Sequence, residues 1–295
     1  MRYFLSLLLV VPLWAINLDL DYKNINEWIS EKLRLLDIYM SDSNESVKQN
    51  FSIRSSIDTI IETKQTPQFK FNMRANLEFP RTQKRLHLFI QDFKKQNSVD
   101  EVSGQNIEDS IRNTSFLFGL QYMSKGNIRY RAGIRFHKIT PDPFIALGWE
   151  RTHYFKHAWI YYGNELRYFL HRHIDNKLFA NFQYKRNNYE LFSFENSYRY
   201  EERPVGEHQV THALKIYHSF GERSLLIPRA ECFFYANNEE SYKINYYYLG
   251  FDFQDTFYRK WLFYQIGPAV LWRRENSFDP SWRVTFKIGI TFEKN

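Results

Sequence analysis

Apolar and polar side chains alternate strictly along residues 282–292, near the end of the chain. The even-numbered positions are apolar or aromatic, and the odd-numbered positions are polar, charged or glycine. Because successive side chains of a β-strand point to opposite faces, this pattern predicts a strand with one apolar and one polar face. Similar two-faced segments recur roughly every twenty residues from residue 51 onward, which is typical of an all-β protein.

Fourteen segments show this alternation, and each is predicted to be a strand. They are residues 51–61, 68–79, 85–93, 115–122, 128–137, 144–152, 158–170, 178–185, 191–200, 210–218, 225–235, 242–253, 261–272 and 282–292. The number is even, as in bacterial single-chain barrels. The first segment is the weakest, because Ser55 and Thr59 lie on its apolar face, so twelve strands stay open as the alternative.

The predicted strands have the length and the two faces that a membrane-spanning barrel requires. Such strands have roughly 9–11 residues, an apolar face toward lipid and a polar face toward the lumen. Aromatic residues make up 19% of the chain. This content fits aromatic girdles at the two membrane interfaces. The mean hydropathy of -0.56 argues against a helical membrane protein but not against a barrel. We therefore predict an all-β fold, a transmembrane antiparallel β-barrel over residues 51–295.

Residues 1–15 have the features of a secretory signal peptide. Arg2 is positively charged, an apolar run follows, and Ala15 is a small residue at a plausible cleavage point. We expect export to the outer membrane of a Gram-negative bacterium, and contact there with outer-membrane lipid and lipopolysaccharide. With residues 16–50 in the periplasm, the long polar segment 94–113 is expected to face the outside of the cell.

Residues 24–40 differ from the rest and predict a short amphipathic helix in the periplasm. Ile25, Trp28 and Leu35 fall roughly on one helical face, and charged residues lie elsewhere. One interpretation is that the helix packs against the barrel mouth or fills the lumen. The alternatives are that it binds a periplasmic partner protein or lies on a membrane surface.

Basic side chains are concentrated on the predicted inner face. A net charge of +7 suggests nucleic acid in a cytosolic protein, but the export signal excludes that partner. The predicted lumen-lining basic residues are Lys70, Arg74, Arg129, Arg131, Arg135, Arg167, Arg283 and Lys287, with Arg85, Lys185, Arg199 and Lys215 on the same face. The predicted inward acidic residues are fewer: Glu78, Glu150, Glu165, Glu195 and Asp252. Since buried charges persist only when paired or hydrated, the surplus predicts water or an anionic ligand inside.

A basic lumen is compatible with functions of different classes. Rings of Arg or Lys favour anions, so the first hypothesis is a passive pore or narrow channel for small anionic solutes. The second is a non-conducting structural, assembly or partner-binding barrel, whose narrow lumen is cross-braced by Arg–Glu pairs. A lipid-modifying outer-membrane enzyme is the third hypothesis.

The sequence predicts no catalytic residue, no metal site and no cofactor. Three histidines and a serine are close in sequence, but no nucleophile motif surrounds the serine and His212 and His218 fall on an apolar face. The four residues are His208, His212, His218 and Ser219. His171 and His173 have no carboxylate or thiolate in a ligand-like spacing beyond Asp175. We therefore expect that the protein is not an enzyme.

Three motifs along the chain resemble a family of proteobacterial exported proteins that are described as hypothetical outer-membrane proteins. The motifs are Pro80-Arg81-Thr82-Gln83-Lys84-Arg85-Leu86; Gly133-Ile134-Arg135-Phe136 followed by Pro141-Asp142-Pro143-Phe144; and Trp261-Leu262-Phe263 with Pro268, Trp272 and Arg274-Glu275. The resemblance extends over most of the chain from residue 50 onward. It implies an outer-membrane barrel, and it implies no activity and no binding residues.

Two further segments suggest contacts made during export. The final strand resembles the signal that the barrel-assembly machinery reads, although three residues follow its terminal aromatic. Its alternating apolar positions are Phe286, Ile288, Ile290 and Phe292. Residues 42–46 match the acidic sequon of periplasmic N-glycosylation, which makes Asn44 a candidate acceptor.

Overall fold

A computed structural model describes residues 18–41, 50–63, 65–80, 86–92, 115–124, 126–137, 140–171, 173–202, 206–221 and 223–294. The predicted signal peptide, Asn44 and the segment 94–113 lie outside these residues. The division of the chain at residues 15 and 50 therefore stays a prediction.

Fourteen antiparallel strands form one closed barrel, which confirms the predicted fold. Each strand pairs with its neighbours in the sequence, and the first strand pairs with the last. The strands are β1 Phe51–Glu62, β2 Gln68–Glu78, β3 Leu86–Asp92, β4 Ser115–Met123, β5 Ile128–His137, β6 Thr140–Tyr154, β7 Ala158–Phe169, β8 His173–Lys185, β9 Glu190–Glu201, β10 Glu207–Phe220, β11 Ser224–Ala236, β12 Lys243–Thr256, β13 Leu262–Arg273 and β14 Pro280–Lys294. A closed sheet of this kind, apolar outside and polar inside, is the architecture of outer-membrane barrels.

The alternation of the sequence appears directly as an outer and an inner face. On β14, Trp282 is 67% exposed and Arg283, the next residue, is 4% exposed. Apolar side chains such as Ile57 and Ile288, which lie opposite each other on β1 and β14, point outward. Because successive side chains of a strand point to opposite faces, the residues between these outward positions point inward.

The weakest predicted strand, β1, closes the barrel. Its register pairs Ile57 with Ile288 of β14 on one side and with Phe71 of β2 on the other. Both ladders extend along most of the strand. The alternative of twelve strands is therefore wrong.

β6 begins at Thr140, earlier than the predicted start at residue 144. Pro141 and Pro143 precede the predicted start, and proline lacks the N–H that a ladder uses. Pro143, however, lies where β7 ends, and its carbonyl accepts a hydrogen bond of 2.8 Å from the backbone N–H of Leu170. A missing donor is tolerated there because the neighbouring strand does not continue.

One α-helix, α1, comprises Leu18–Ser41 and lies outside the barrel. Its Leu33 packs with Phe51 and Phe79, and these belong to a cluster of outer-face residues from β1, β2, β3 and β14. The helix therefore lies beside the barrel mouth on the outer wall, and the alternative in which it fills the lumen is wrong. Among the described residues, no helix combines the length and the apolar character needed to cross a membrane.

Candidate functional site

The inner wall of the barrel carries charged side chains that are largely removed from solvent. Of the predicted basic residues, Arg129, Arg131, Arg167, Arg199, Lys215, Arg283 and Lys287 are buried, Lys70 and Arg135 are half-buried, and Arg74 and Lys185 are exposed. Arg85 lies outside the described residues. Buried arginine and lysine must be paired to persist in such a setting, so their partners define the site.

Glu165 of β7 forms the centre of the largest group of ion pairs. Its carboxylate lies 2.9 Å from Arg129 Nη2, 3.3 Å from Arg131 Nη1 and 2.7 Å from Arg167 Nε. Glu165 is 1% exposed. Arg129 also meets Glu150 of β6 at 3.1 Å. One carboxylate therefore pairs with three arginines on two different strands. The alternation of polar and apolar residues in the sequence does not predict such a shared partner.

The group continues along the wall through Asp175 of β8. Asp175 accepts hydrogen bonds from Arg167 Nη1 at 2.6 Å and from Arg199 Nε at 2.9 Å. Arg199 lies 3.5 Å from Glu201, which also lies 3.5 Å from Arg135. Arg135 in turn donates to Asp142 at 2.9 Å. We call this set the β5–β9 network; it comprises Arg129, Arg131, Arg135, Asp142, Glu150, Glu165, Arg167, Asp175, Arg199 and Glu201.

A second group of ion pairs lies where the barrel closes. Glu62 of β1 accepts hydrogen bonds of 3.0 Å from Arg273 Nε and from Arg283 Nε. Nearby, Lys287 lies 3.7 Å from Asp58. The first and last strands are thus joined by side-chain charges on the inner face as well as by their backbone ladder.

A third group lies on β9–β12. Lys215 meets Glu195 at 2.7 Å, and Arg229 lies 3.9 Å from Asp252. Glu231 accepts a hydrogen bond from the hydroxyl of Tyr246. All three groups together extend around most of the inner wall.

None of the ion pairs named above joins opposite walls of the barrel. The widest one described above, Arg135 with Glu201, joins β5 and β9, which are four positions apart in the ring. Opposite walls of a fourteen-stranded ring are seven positions apart. A strand spacing of about 4.8 Å and a tilt of about 40° give such a ring a backbone radius of roughly 14 Å. The backbones of β5 and β9 are then roughly 22 Å apart, so Arg135 and Glu201 reach into the lumen to meet. The named pairs leave opposite walls unconnected.

Arginine side chains also lie over aromatic rings of the inner wall. The guanidinium of Arg135 lies 4.1 Å from the centre of the Phe169 ring, and that of Arg54 lies 4.0 Å from the Phe263 ring. Such cation–π contacts fix the planar group against the wall. Arg54 additionally donates to Gln254 of β12 at 3.2 Å.

Glycines on the inner face make room for two aromatic rings of the wall. A Cβ on Gly163 would lie 2.8 Å from Cζ of Phe179, and one on Gly289 would lie 2.4 Å from Cζ of Phe263. Both rings therefore occupy the space that a side chain would fill. The close approach of ring to backbone requires glycine at both positions.

The inner face holds more acidic residues than the sequence indicated. The additional ones in ion pairs or hydrogen bonds are Asp58, Glu62, Asp142, Asp175, Glu201 and Glu231. The surplus of basic over acidic side chains on the inner face is therefore smaller than predicted among the described residues. Asp175 was missed because β8 begins at His173, before its predicted start at residue 178. Glu231 was missed because both faces of β11 are rich in apolar residues.

Two basic residues of β1 and β2 lie side by side on the inner face. Arg54 lies directly opposite Arg74 in the β1–β2 register, and Asp58 lies opposite Lys70. Like charges directly opposite each other in a sheet are unfavourable unless water or an anion screens them. Arg74 is exposed on this face, as expected for a hydrated position.

The other candidate residues do not assemble into a reactive site. The three candidate histidines lie on the outer face of β10, where His208 meets Tyr198 at 2.9 Å and His212 meets Asn196 at 2.7 Å. Ser219 has the opposite strand parity and thus the opposite face. His171 meets Asp142 at 2.7 Å. Within the described part of the chain, no group of three or more His, Cys, Asp or Glu side chains is arranged to hold a metal ion.

The proposed assembly signal lies on the outer face of β14. Phe286 and Ile288 are exposed toward the surroundings, whereas Phe292 packs with the outer-face cluster that holds α1. The ring of Tyr22 from α1 stacks on Phe292 at 5.2 Å. The recognition role of these positions stays a prediction.

No protein-family model matches the chain, and no curated protein matches it. Several solved structures are similar at low identity. A loop L8 deletion mutant of OmpT, an outer membrane protein of Vibrio cholerae, has 7% identity and a TM-score of 0.49, over 82% of this chain and 98% of that chain. A bacterial polysaccharide outer membrane secretin has 11% identity and a TM-score of 0.48, over 85% of this chain and 100% of that chain. The outer membrane channel DcaP of Acinetobacter baumannii has 8% identity and a TM-score of 0.47, over 83% and 96%.

Proposed function

We propose that the chain forms a passive outer-membrane channel that favours small anionic solutes. The observation that supports this most is that none of the inner ion pairs named above joins opposite walls of the barrel. The position of α1 on the outer wall supports it as well, because the helix lies outside the lumen. No energy coupling is part of this proposal.

The anion preference rests on the surplus of basic side chains on the inner face as a whole. Arg129, Arg131 and Arg135 have carboxylate partners on nearby strands, so much of their charge is already balanced. Arg54 and Arg74 lie opposite each other on the same inner face. Basic side chains that line a water-filled lumen select anions. Neutral side chains at positions 54 and 74 therefore lower the positive charge that an entering solute meets.

Single-channel recording in planar lipid bilayers tests the proposal. We expect stepwise current and, in a salt gradient, a reversal potential of the sign that anion preference gives. The double variant Arg54→Gln with Arg74→Gln should move that potential toward zero. Arg151→Gln is the matched control, because Arg151 is exposed on the outer face of β6 and the change of charge per residue is the same.

A second candidate function is a non-conducting structural barrel. The observation that favours it is the presence of two apolar clusters on the inner wall, one around Leu117 and Phe169 and one around Tyr246 and Leu271. Side chains of this size take up part of the lumen. A silent bilayer with protein that still shows heat-modifiable gel migration would favour this function and contradict the channel.

A further inference from the structure

The helix α1 is held on the outer wall by a polar contact at its start and an apolar contact further along. At its start, Arg259 Nη2 in the β12–β13 turn donates to Asp19 at 2.8 Å. One turn later, the ring of Tyr22 stacks on Trp261 at 4.6 Å. Further along, Leu33 is buried among Phe51 and other outer-face residues of the first three strands.

These contacts define the direction of the helix. Tyr22 meets the end of β14 and the β12–β13 turn, whereas Leu33 meets β1, β2 and β3. Because the contacts pass from strand to strand around the ring, the helix axis runs along the rim of the barrel. Barrel strands cross the membrane, so an element that crosses the strands lies in the membrane plane. This is the orientation of an interfacial amphipathic helix.

A second apolar side of α1 faces away from the barrel. It consists of Ile25, Trp28, Leu35, Leu36 and Tyr39, with Lys32 between Trp28 and Leu35, and these positions fall on one side of the helix. Trp28 is 59% exposed and Tyr39 is 87% exposed. These side chains are exposed, although they lie on the same helix as the buried Leu33.

A third side of the helix is charged. It presents Lys23, Glu27, Glu31 and Arg34, which follow one another at helical spacing. Within this side, Lys23 pairs with Glu27 at 3.8 Å. The helix thus has one side for the barrel, one apolar side and one side for water. Such a division fits an environment in which an apolar phase and water meet.

We propose that the apolar side of α1 binds the phospholipids of the membrane leaflet at this end of the barrel, the periplasmic one. The continuity of the surface carries the proposal: the helix packs on the same outer wall whose Ile57 and Ile61 are exposed toward lipid. The apolar side of α1 adjoins this wall, so the lipid that covers the wall also contacts the helix. Trp and Tyr concentrate at the headgroup level, and Lys32, exposed within the apolar side, reaches headgroup phosphates.

Nitroxide labels at single cysteines test this proposal in the full chain. Cys232→Ala removes the native thiol, and Trp28→Cys and Leu35→Cys place labels on the apolar side. Glu27→Cys and Glu31→Cys are the matched controls on the charged side. The proteins are reconstituted into phosphatidylethanolamine–phosphatidylglycerol vesicles at a low protein-to-lipid ratio. Heat-modifiable migration verifies the fold of each variant.

We expect the labels at positions 28 and 35 to collide with oxygen and to be protected from a water-soluble nickel chelate. The labels at positions 27 and 31 should show the reverse. Equal exposure of all four positions to the nickel chelate would overturn the proposal and would favour a periplasmic protein as the occupant. Protection together with spin–spin broadening that depends on the protein-to-lipid ratio would overturn it in favour of a second copy of the chain.

Discussion

At the scale of single residues, Glu165 is the position on which the inner wall depends most. Its buried carboxylate holds Arg129, Arg131 and Arg167. Taking a charge out of water costs several kcal/mol per ion, and only close partners offset that cost. Each of the three guanidinium groups is itself buried, so the carboxylate offsets the desolvation of all of them.

Glu165→Gln keeps the shape of the side chain and removes its charge. We expect the free energy of unfolding to fall by about 3–5 kcal/mol, because the buried arginines lose their common partner. Urea unfolding in phospholipid vesicles, followed by tryptophan fluorescence, measures the change. Glu275→Gln serves as the control, since Glu275 is exposed and lies 3.8 Å from Arg273. Because the carboxylate of Glu275 stays in water, its contact with Arg273 should contribute less than about 1 kcal/mol. Equal stability of the two variants would contradict the central role of Glu165.

The sequence predicted inner residues well wherever the two faces of a strand differ in polarity. Arg129 and Arg131 alternate with apolar residues, so their inner position follows from strand geometry alone. Their partners did not follow in the same way, because Glu165 and Arg129 are on strands two positions apart in the ring. Register and barrel curvature decide such contacts, and neither is contained in the alternation.

At the scale of elements, α1 has apolar residues on two sides, whereas the sequence pattern predicted a single apolar side. Ile29 packs with Leu33 against the barrel, whereas Trp28 and Leu35 are exposed. A single helical periodicity finds the helix but does not separate these sides, which differ only in what covers them. The sequence therefore predicted the helix and not its place on the outer wall.

The contact between Asp19 and Arg259 makes the attachment of α1 sensitive to pH. The hydrogen bond from Arg259 and its positive charge lower the pKa of Asp19 below the ordinary aspartate value. A lowered pKa in the folded state means that the contact is fully present above the ordinary value of about 3.9 and is lost as the pH falls through the lowered value. We expect the amide protection of residues 18–33 to fall in that acidic range.

Hydrogen exchange measured by mass spectrometry, corrected for the intrinsic effect of pH, follows this protection. Asp19→Asn should lower the amide protection of residues 18–33 at neutral pH. It should also abolish the further decrease in protection that the unsubstituted protein shows in acid. Asp21→Asn is the matched control, because Asp21 is exposed in the same turn of the helix. An Asp19→Asn protein that keeps the acid-dependent loss would show that another contact attaches the start of α1.

At the scale of the whole molecule, closure between β1 and β14 defines the number of strands and the register of the ring. Ile57 and Ile288 face each other across this seam on the outer face. Directly opposite residues of antiparallel strands have Cα atoms about 4.5–5.5 Å apart, within the range that a disulfide spans.

Ile57→Cys with Ile288→Cys, in the Cys232→Ala background, should therefore form a disulfide under mild oxidation. The bond links the first strand to the last strand, and it should therefore change the gel migration of the heated, unreduced protein. Ile57→Cys with Val284→Cys is the matched control, since Val284 pairs with Ile61 and lies two outward positions along the strand. Cross-linking of the control pair alone would contradict the register.

The glycines of the inner wall determine where two aromatic rings of the lining lie. The rings of Phe179 and Phe263 occupy the space that a Cβ at Gly163 and at Gly289 would fill. A methyl group added at either glycine would displace the ring or a backbone carbonyl oxygen of the adjacent strand. The interior shape of the barrel is thus set in part by atoms hidden behind its lining.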